Sequence, residues 1–515
     1  MPSSQGFQTS QRPNILLVMF DQMSALALPD YGHPLVRTPH LSRLAARGTL
    51  FEHAYCASPL CSPSRFALLT GLLPSRIGAY DNASELPSGI PTLMHHLRAA
   101  GYRTCLSGKM DFTGADQLHG YEERLTTDLS PSDFGWVPDW DHPNDVQPWY
   151  HTLQSVAEAG PCDYSLSLQY DEEAAFKAMQ WLHKARAASD PRPFMLTLSV
   201  MQPHDPYQGP RRFWDLYDHD SIDMPVLPAL QASLRDPVGR RMYAMYDRGE
   251  FTIGEAEIRK ARHAYYAMVS YCDDLLGRLL ATLAALGLDR DTLVVVTSDH
   301  GDMLGERGLW YKMNFFDGAV RVPMVIYGPG VGAGQRIAEP VSHLDLLPTL
   351  LALTGSDAAI PATALDGRDL SASVTAGARP RGDVLGEYLA EGYDHPIVMI
   401  RRDSQKFVYS RGEPTQLYDL AVDPREEHNL ALNPAHANAV RNLTEEAERR
   451  WDIEALRNAV IDSQRRRRLI HRALTSGRIA PWDYEPRIDP SVEYYRNYGS
   501  DLPDPERSVR LPRIP

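Results

Sequence analysis

The sequence has few cysteines, no long apolar run and no excess of positive charge. Its five cysteines form no Cys-x-x-Cys pair and no dense framework, a usage typical of a reducing compartment. No stretch of about 18 apolar residues is present, so we expect no membrane span. Residues 1–13 lack the apolar core of a secretory signal, so we expect a disordered segment there and a cytoplasmic protein. The net charge of −14 argues against a nucleic acid as partner.

The chain does contain enough apolar material for one large domain and a smaller unit. Its 515 residues are 43% hydrophobic and 23% charged, as in ordinary globular proteins. The alternation of buried strands with helices predicts an α/β sandwich around a large, mostly parallel sheet at 14–380. The predicted strands are 14–20, 104–106, 193–201, 292–298 and 324–327. The predicted helices are 38–47, 64–69, 92–100, 171–188 and 255–286.

The pattern changes after the large domain. We interpret 356–382 as a connecting loop and 381–480 as a C-terminal subdomain with a small antiparallel sheet and helices. Its predicted strands are short and alternating, at 397–401, 406–409 and 416–419. The last segment, 481–515, is rich in proline, charge and aromatic side chains. The aromatics favour docking on a partner subunit over disorder, so we interpret this segment as an oligomerisation tail.

Four consecutive arginines, Arg465 to Arg468, follow a predicted helix at 435–463, and we expect them to interrupt it. Such a run occurs in nucleic-acid patches. In an acidic chain, a solvated helix face or an ion-pair surface between subunits fits better.

Carboxylates follow two of the predicted strands at the point where each strand ends. Asp21-Gln22 comes directly after 14–20, and Asp299-His300 directly after 292–298. Functional groups of an open α/β sheet gather at the carboxyl ends of its strands, and hard divalent cations prefer oxygen ligands. We therefore predict a divalent metal site over the sheet, with the ligands Asp21, Gln22, Asp299 and His300. The alternative is that both acids only cap or solvate their loops.

A Cys-x-Pro-x-Arg motif contains Cys61. The run Leu60-Cys61-Ser62-Pro63-Ser64-Arg65, with Leu69-Thr70-Gly71 shortly after it, resembles the signature of type I sulfatases. In that family a formylglycine-generating enzyme oxidises the cysteine to formylglycine, whose aldehyde hydrates to a geminal diol. One hydroxyl attacks the sulfur of a sulfate ester, and the other helps to expel sulfate, whereas a serine would leave a stable sulfated enzyme. The alternative is a buried structural thiol, the usual state of a lone cysteine.

Longer strings along most of the chain resemble the choline sulfatase subgroup. They include 80–83, 107–110, 116–120, 123–128, 133–136, 203–207 and the run from Ser298 to Trp310. Asp21-Gln22 and Asp299-His300 are substitutions that this subgroup shares. The resemblance implies an alkaline-phosphatase-like fold, with 14–380 as the catalytic domain. It implies hydrolysis of a small alkyl sulfate, and choline sulfate is the expected substrate.

The resemblance also implies roles for single side chains. Residue 61 becomes the nucleophile and a further metal ligand, and Arg65 holds the diol and the metal loop in place. Lys109 and Lys312 bind sulfate oxygens and offset the charge that builds on them. His204 protonates the leaving oxygen or hydrogen-bonds to it. The alternatives are solvated lysines and a core histidine.

One position departs from the family pattern. Sulfatases normally show Lys-x-His where this chain has Lys109-Met110-Asp111. The missing histidine is thought to take a proton from the diol as sulfate is expelled. A carboxylate also accepts protons, so we expect Asp111 to alter turnover or substrate preference without abolishing binding.

The remaining implications concern the substrate, the ion and the assembly. Asn82 contacts a sulfate oxygen, and Trp136 and His151 flank the quaternary ammonium group, which aromatic faces bind well. Asp501, in the tail of a neighbouring subunit, is a weaker candidate for the same cation. Ca²⁺ is the expected ion, with Mg²⁺ and Mn²⁺ as alternatives, and the expected assembly is a homo-oligomer, a dimer or tetramer.

Three readings of function therefore stay open. The first is a choline-sulfatase-like enzyme. The second keeps the site and changes the substrate, as in an aryl sulfatase or a phosphonate monoester or phosphodiester hydrolase. The third is a non-catalytic scaffold with an unmodified Cys61 and no metal.

Overall fold

The computed structural model describes residues 12–130, 132–227, 237–356, 365–479 and 482–486. The strands are β1 Asn14–Phe20, β2 Thr49–Phe51, β3 Ala54–Tyr55, β4 Arg103–Gly108, β5 Glu123–Arg124, β6 Gly160–Cys162, β7 Phe194–Ser199, β8 Gln208–Pro210, β9 Thr292–Ser298, β10 Arg321–Val322, β11 Met324–Tyr327, β12 Gln335–Ile337, β13 Val341–Ser342, β14 Val384–Tyr388, β15 Ile397–Arg402, β16 Gln405–Ser410 and β17 Glu413–Asp419. The helices are α1 Pro39–Arg47, α2 Cys61–Thr70, α3 Pro74–Ile77, α4 Leu93–Ala99, α5 Gln154–Ala157, α6 Leu166–Ala187, α7 Arg211–Trp214, α8 Pro237–Tyr246, α9 Glu255–Ala285, α10 Asp317–Val320, α11 Leu346–Leu353, α12 Ser371–Ala376, α13 Ala437–Arg450 and α14 Ile453–Leu474.

Eight strands form the central sheet, in the order β12-β2-β11-β9-β1-β7-β4-β5. The strands β9, β1, β7, β4 and β5 run parallel to one another, and β11 is antiparallel to both of its neighbours. Every residue of β9 is buried, and so is every residue of β1 after its first. Unbroken apolar strands of this kind need cover on both faces of the sheet. The predicted large, mostly parallel sheet is confirmed.

Helices from two groups pack on this sheet. The helices α1 and α6 each contact α9, while α2, α4 and α11 contact one another. α9 buries side chains along most of its length, from Ala261 to Leu283. A helix buried along so much of its length belongs to the core of a large domain.

Four strand ends lie at the same edge of the sheet. The register pairs Phe20, the last residue of β1, with Ser298, the last residue of β9. Ser199, at the end of β7, pairs with Met19 and with Gly108, at the end of β4. A side chain at Gly108 would fall 1.7 Å from the carbonyl oxygen of Ser199, so this crowded edge requires glycine. The segments after all four strands therefore start side by side.

The predicted small antiparallel sheet is confirmed and has four strands, in the order β14-β15-β16-β17. The predicted single helix at 435–463 is wrong, because two helices, α13 and α14, meet at Trp451-Asp452. Trp451 caps the end of α13, and Asp452 begins α14, since its carboxylate accepts the N–H of Ala455 as an N-terminal cap. The arginines at 465–468 do not interrupt α14, since arginine is a good helix former. The predicted loop at 356–382 contains the short helix α12.

Several sequence expectations remain predictions. The division at 380 is one, since Tyr388 and Met399 share a single apolar core with the large sheet. Most of 1–13 and of 481–515, including Asp501, lies outside the described residues. Trp482 is described, and its ring packs edge-on against Phe134 of the same chain, with centroids 5.0 Å apart. Among the helices described, none has the length and apolarity that a bilayer crossing requires.

Candidate active site

Cys61 lies at the first position of α2, a helix in which all ten residues are buried. Its Sγ is 3.2 Å from Nε2 of His300 and 4.0 Å from Oδ1 of Asp21. Burial, followed by the charge of Asp21, raises the pKa of the thiol to about 12. The thiol is therefore protonated at neutral pH, and as such it is a poor nucleophile.

Three of the predicted metal ligands lie close to this thiol. The ligand atoms of Asp21, Cys61, Asp299 and His300 all lie within 4.8 Å of one another, and all four residues are buried. Neither carboxylate has any exposed surface. Two buried carboxylates with an imidazole are a donor set that fits a divalent cation.

Gln22, the other predicted ligand, is directed elsewhere. Its Oε1 accepts a hydrogen bond of 2.6 Å from Nζ of Lys312, and its Nε2 donates to Oδ2 of Asp302 at 2.7 Å. An ammonium only donates and a carboxylate only accepts, so these partners determine which way the amide faces. In this structure Gln22 connects Lys312 to Asp302 instead of joining the cluster of four.

Arg65 and Lys109 balance the buried carboxylates. Nη2 of Arg65 lies 3.0 Å from Oδ2 of Asp21 and 2.9 Å from Oδ2 of Asp299, and Nζ of Lys109 lies 2.5 Å from the same Asp21 oxygen. Burial opposes ionisation of Asp21, but Lys109, His204 and Arg65 hold its pKa well below the usual range. Arg65 is fully buried and Lys109 is 5% exposed, so neither is an ordinary surface cation.

Lys312 and His204 form the opposite side of the site. Nζ of Lys312 lies 2.7 Å from Nε2 of His204, whose Nδ1 lies 2.6 Å from the carbonyl oxygen of Asp205. The ammonium must donate, so Nε2 of His204 accepts and its proton is on Nδ1. Burial, followed by the charge of Lys312, lowers the pKa of His204 to about 3. In this arrangement the proton between the two side chains belongs to Lys312 and not to His204. The predicted role of His204 as an acid stays a prediction.

Asp111 lies on the cationic side of the cluster. The residue is 3% exposed, and its Oδ2 is 3.4 Å from Nζ of Lys109 and 3.6 Å from Nε of Arg65. Burial raises the pKa of Asp111 to about 6, although Lys109 and Arg65 oppose the shift. A carboxyl group with this pKa changes its charge in the range where general bases operate.

Three of the residues predicted to bind substrate, Asn82, Trp136 and His151, are among those that the structure describes. Trp136 packs in an apolar cluster with Ala83, next to Asn82, and with Trp482. His151 stacks on Tyr311, with ring centroids 4.5 Å apart. Asn82 is half-buried, and its Oδ1 accepts the N–H of Ser62 at 3.0 Å. The roles of these side chains stay predictions.

Four acidic residues around the site had no predicted role. Asp205 lies 3.6 Å from Nδ1 of His151 and contacts His204, and Asp302 binds Gln22. Asp171 accepts the N–H groups of Met201 and Gln202 and so holds the turn before His204. Glu391 is 6% exposed and near Lys312. Asp205 and Asp302 stand inside strings that resemble the family, which was a usable signal, whereas nothing local distinguishes Asp171 within its helix.

This protein is an enzyme of the alkaline-phosphatase-like class. The features that define the class here are the central sheet, the helix that begins at Cys61 and the buried cationic side chains around that residue. Comparison with known proteins identifies the family. The sulfatase family model matches residues 13–356, the model for the N-sulphoglucosamine sulphohydrolase C-terminal region matches 305–452, and the model for the choline sulfatase C-terminal region matches 458–511. The chain belongs to the sulfatase family.

Individual relatives extend this result. The choline-sulfatase of Rhizobium meliloti (strain 1021) is 44% identical over 512 residues, covering 98% of this chain and 99% of that protein. Arylsulfatase K of Bos taurus is 30% identical over 448 residues, covering 81% of this chain and 78% of that protein. Among solved structures, the phosphonate monoester hydrolase of Agrobacterium radiobacter aligns with a TM-score of 0.67 and 25% identity, covering 87% of this chain and 96% of that one.

Proposed function

We propose that this sulfatase hydrolyses choline sulfate to choline and sulfate, with formylglycine formed at Cys61. The observation that carries the proposal is the buried grouping of Cys61 with Asp21, Asp299 and His300. The near full-length similarity to a choline-sulfatase supports the choice of substrate. Conversion of Cys61 requires a formylglycine-generating enzyme as a partner during maturation.

Each side chain then has a task that follows from its position. Converted residue 61 would supply the hydroxyl that attacks sulfur, and a cation held by Asp21, Asp299 and His300 would offset negative charge on the ester. Arg65 holds both carboxylates in place through its bonds to them. Lys109 and Lys312 place positive charge where sulfate oxygens gain negative charge. Lys312 also holds a proton beside His204 for the leaving oxygen.

The choline group would be bound by aromatic faces and a buried carboxyl. His151 and Trp136 offer the faces, as quaternary ammonium groups require. Glu391 is buried near Lys312, and burial raises its pKa to about 7. A cationic substrate group beside Glu391 would favour the ionised carboxylate. Asp501 of a neighbouring copy remains part of this proposal, together with a dimeric or tetrameric assembly and a cytoplasmic location.

A panel of three esters tests the substrate. Purified protein whose residue 61 is converted, as measured by peptide mass, is assayed with choline sulfate, nitrophenyl sulfate and a phenyl phosphonate ester. We expect the highest kcat/KM for choline sulfate. The second candidate is phosphonate monoester hydrolysis, favoured by Asp111 in place of the family histidine and by the Agrobacterium radiobacter structure. If Cys61 is unmodified and no ester is turned over, the interpretation as a non-catalytic scaffold is favoured instead.

Metal removal is expected to abolish turnover and to lower the melting temperature. A cation that binds only the folded cluster stabilises it by mass action, and its loss is expected to cost about 10²-fold or more in rate. Chelator-treated protein is compared before and after addition of Ca²⁺, Mg²⁺ or Mn²⁺. Ca²⁺ is the expectation from the sequence, although an imidazole ligand such as His300 is more usual for transition metals than for Ca²⁺. The variant Asp299→Asn serves as control, since its melting temperature should not respond to added metal. Full activity in metal-free protein would contradict the site.

The pH profile is expected to report Asp111. Its pKa of about 6 means that the carboxyl is protonated below that pH, and a protonated carboxyl cannot act as a base. The rate should therefore fall as pH decreases through about 6 and level off above it. The variant Asp111→Asn should lose this limb and about 10²-fold in kcat, while Asp111→His keeps a base with a different pKa. Equal rates and profiles for the parent and both variants on every ester would remove Asp111 from the mechanism.

A further inference from the structure

The N-terminus of α2, the helix that begins at Cys61, is capped by Asn82 and not by the residue that precedes the helix. The first N–H groups of any helix lack partners within it, and the residue before the helix usually supplies an oxygen. Here that residue is Leu60, whose side chain makes no capping hydrogen bond. The N–H of Ser62 instead donates to Oδ1 of Asn82 at 3.0 Å, and Oγ of Ser62 donates to the carbonyl oxygen of Asn82 at 3.4 Å.

This bond also orients the amide of Asn82. Because Oδ1 accepts from the helix, Nδ2 is the end that remains as a donor. A sulfate group has only acceptor oxygens, so it needs a donor. The position of Asn82 therefore governs two things at once, the start of the nucleophile's helix and the direction of a hydrogen-bond donor.

Asn82 is held by the residue before it. The carboxylate of Asp81 accepts the N–H of Ala83 at 3.0 Å and the hydroxyl of Ser84 at 3.2 Å. The same carboxylate is bound by both terminal nitrogens of Arg467, at 2.5 and 2.7 Å. Asp81 has no exposed surface and Arg467 is 7% exposed. Two-point pairing of arginine with a carboxylate gives geometric specificity as well as strength.

Arg467 belongs to the arginine run of α14, which was expected to be a solvated face or a subunit interface. Arg465 and Arg466 are exposed, as a solvated face requires, but three arginines of the run also pair with acids of the same chain. Arg465 binds Asp141 at 2.8 Å, and Arg468 also binds Asp139 and Asp141. α14 therefore holds two active-site segments, the turn of Asn82 and the loop that follows Trp136.

We propose that Arg467 is a positioning residue of the active site. Through Asp81 it fixes Asn82 against the start of α2, and so it orients both residue 61 and the donor that meets the sulfate group. This inference rests on the proposed function for its kinetic consequences, but the clamp itself can be measured without substrate.

A double-mutant cycle tests whether Arg467 acts through Asn82. The variants are Arg467→Met, Asn82→Ala and the double variant, assayed with choline sulfate and nitrophenyl sulfate per mole of converted residue 61. We expect Arg467→Met to lower kcat/KM by about 10²-fold, as misplaced groups do. In the Asn82→Ala background the same change should cost less than about 3-fold. Arg467→Lys should recover part of the loss. Arg466→Ala, an exposed neighbour on α14, should match the parent.

Two kinetic outcomes would overturn the proposal in a parent enzyme that hydrolyses sulfate esters. One is that the losses from Arg467→Met and Asn82→Ala multiply; the other is that Arg467→Met has parent kinetics. Amide hydrogen exchange of the peptide at 60–66 provides the readout that needs no activity. Exchange should be faster in Arg467→Lys and Arg467→Met than in the parent and in Arg466→Ala. Unchanged exchange in these two variants refutes the clamp. If exchange is faster in the variants but the parent has no esterase activity, only the proposed function is refuted.

Discussion

Replacing Cys61 by alanine is expected to abolish turnover of every sulfate ester, with a loss of about 10⁴-fold or more. The reason is chemical, because the proposed nucleophile is formed from this thiol and alanine cannot be oxidised to an aldehyde. Alanine is also the best helix former, so α2 should persist. Rates with choline sulfate and nitrophenyl sulfate, beside a thermal melt, measure the effect.

The serine variant separates the first chemical step from the second. Serine at 61 has one hydroxyl, so it can accept the sulfuryl group but cannot expel it through a second hydroxyl. We expect one equivalent of alcohol and then no further turnover, with a protein mass increased by one sulfuryl group. Cys162→Ser is the matched control, because Cys162 is half-buried in β6 and is not one of the clustered residues. Parent-like rates in Cys61→Ala would contradict the mechanism.

Replacing Lys312 by methionine is expected to lower kcat by about 10³-fold. Methionine keeps much of the aliphatic volume and removes the ammonium that contacts Gln22 and His204. The loss should fall on kcat more than on KM, because charge on the leaving oxygen develops in the transition state. Steady-state kinetics with both esters test this split.

The same variant should change how His204 titrates. Burial and the charges of Lys312 and Lys109 all lower the pKa of His204, so removal of the Lys312 ammonium removes one of these causes. The pKa should rise, and protonated His204 should appear at a higher pH than in the parent. NMR titration of the imidazole measures this shift. Lys260→Ala, an exposed lysine on α9, is the control and should behave as the parent. An unchanged kcat in Lys312→Met would contradict the assigned role.

The meeting of Asp21 with Asp299 was predictable, and the reason is geometric. Each follows a continuous apolar run, and such runs form adjacent parallel strands whose carboxyl ends coincide. The direction of Gln22 was not predictable in the same way. Its amide is turned by Lys312, 290 residues away in sequence, and by Asp302, 280 residues away.

The sequence alone determined the mostly parallel sheet and its helices, the family and the position of Cys61, the proposed nucleophile, because period, apolar runs and short motifs are local properties. Tertiary structure alone decided the use of the arginine run, the proton position on His204 and the partners of Gln22. Each of these depends on buried charges that remote segments bring within hydrogen-bonding distance. The local sequence around a side chain does not identify the distant residue with which it pairs in the folded protein.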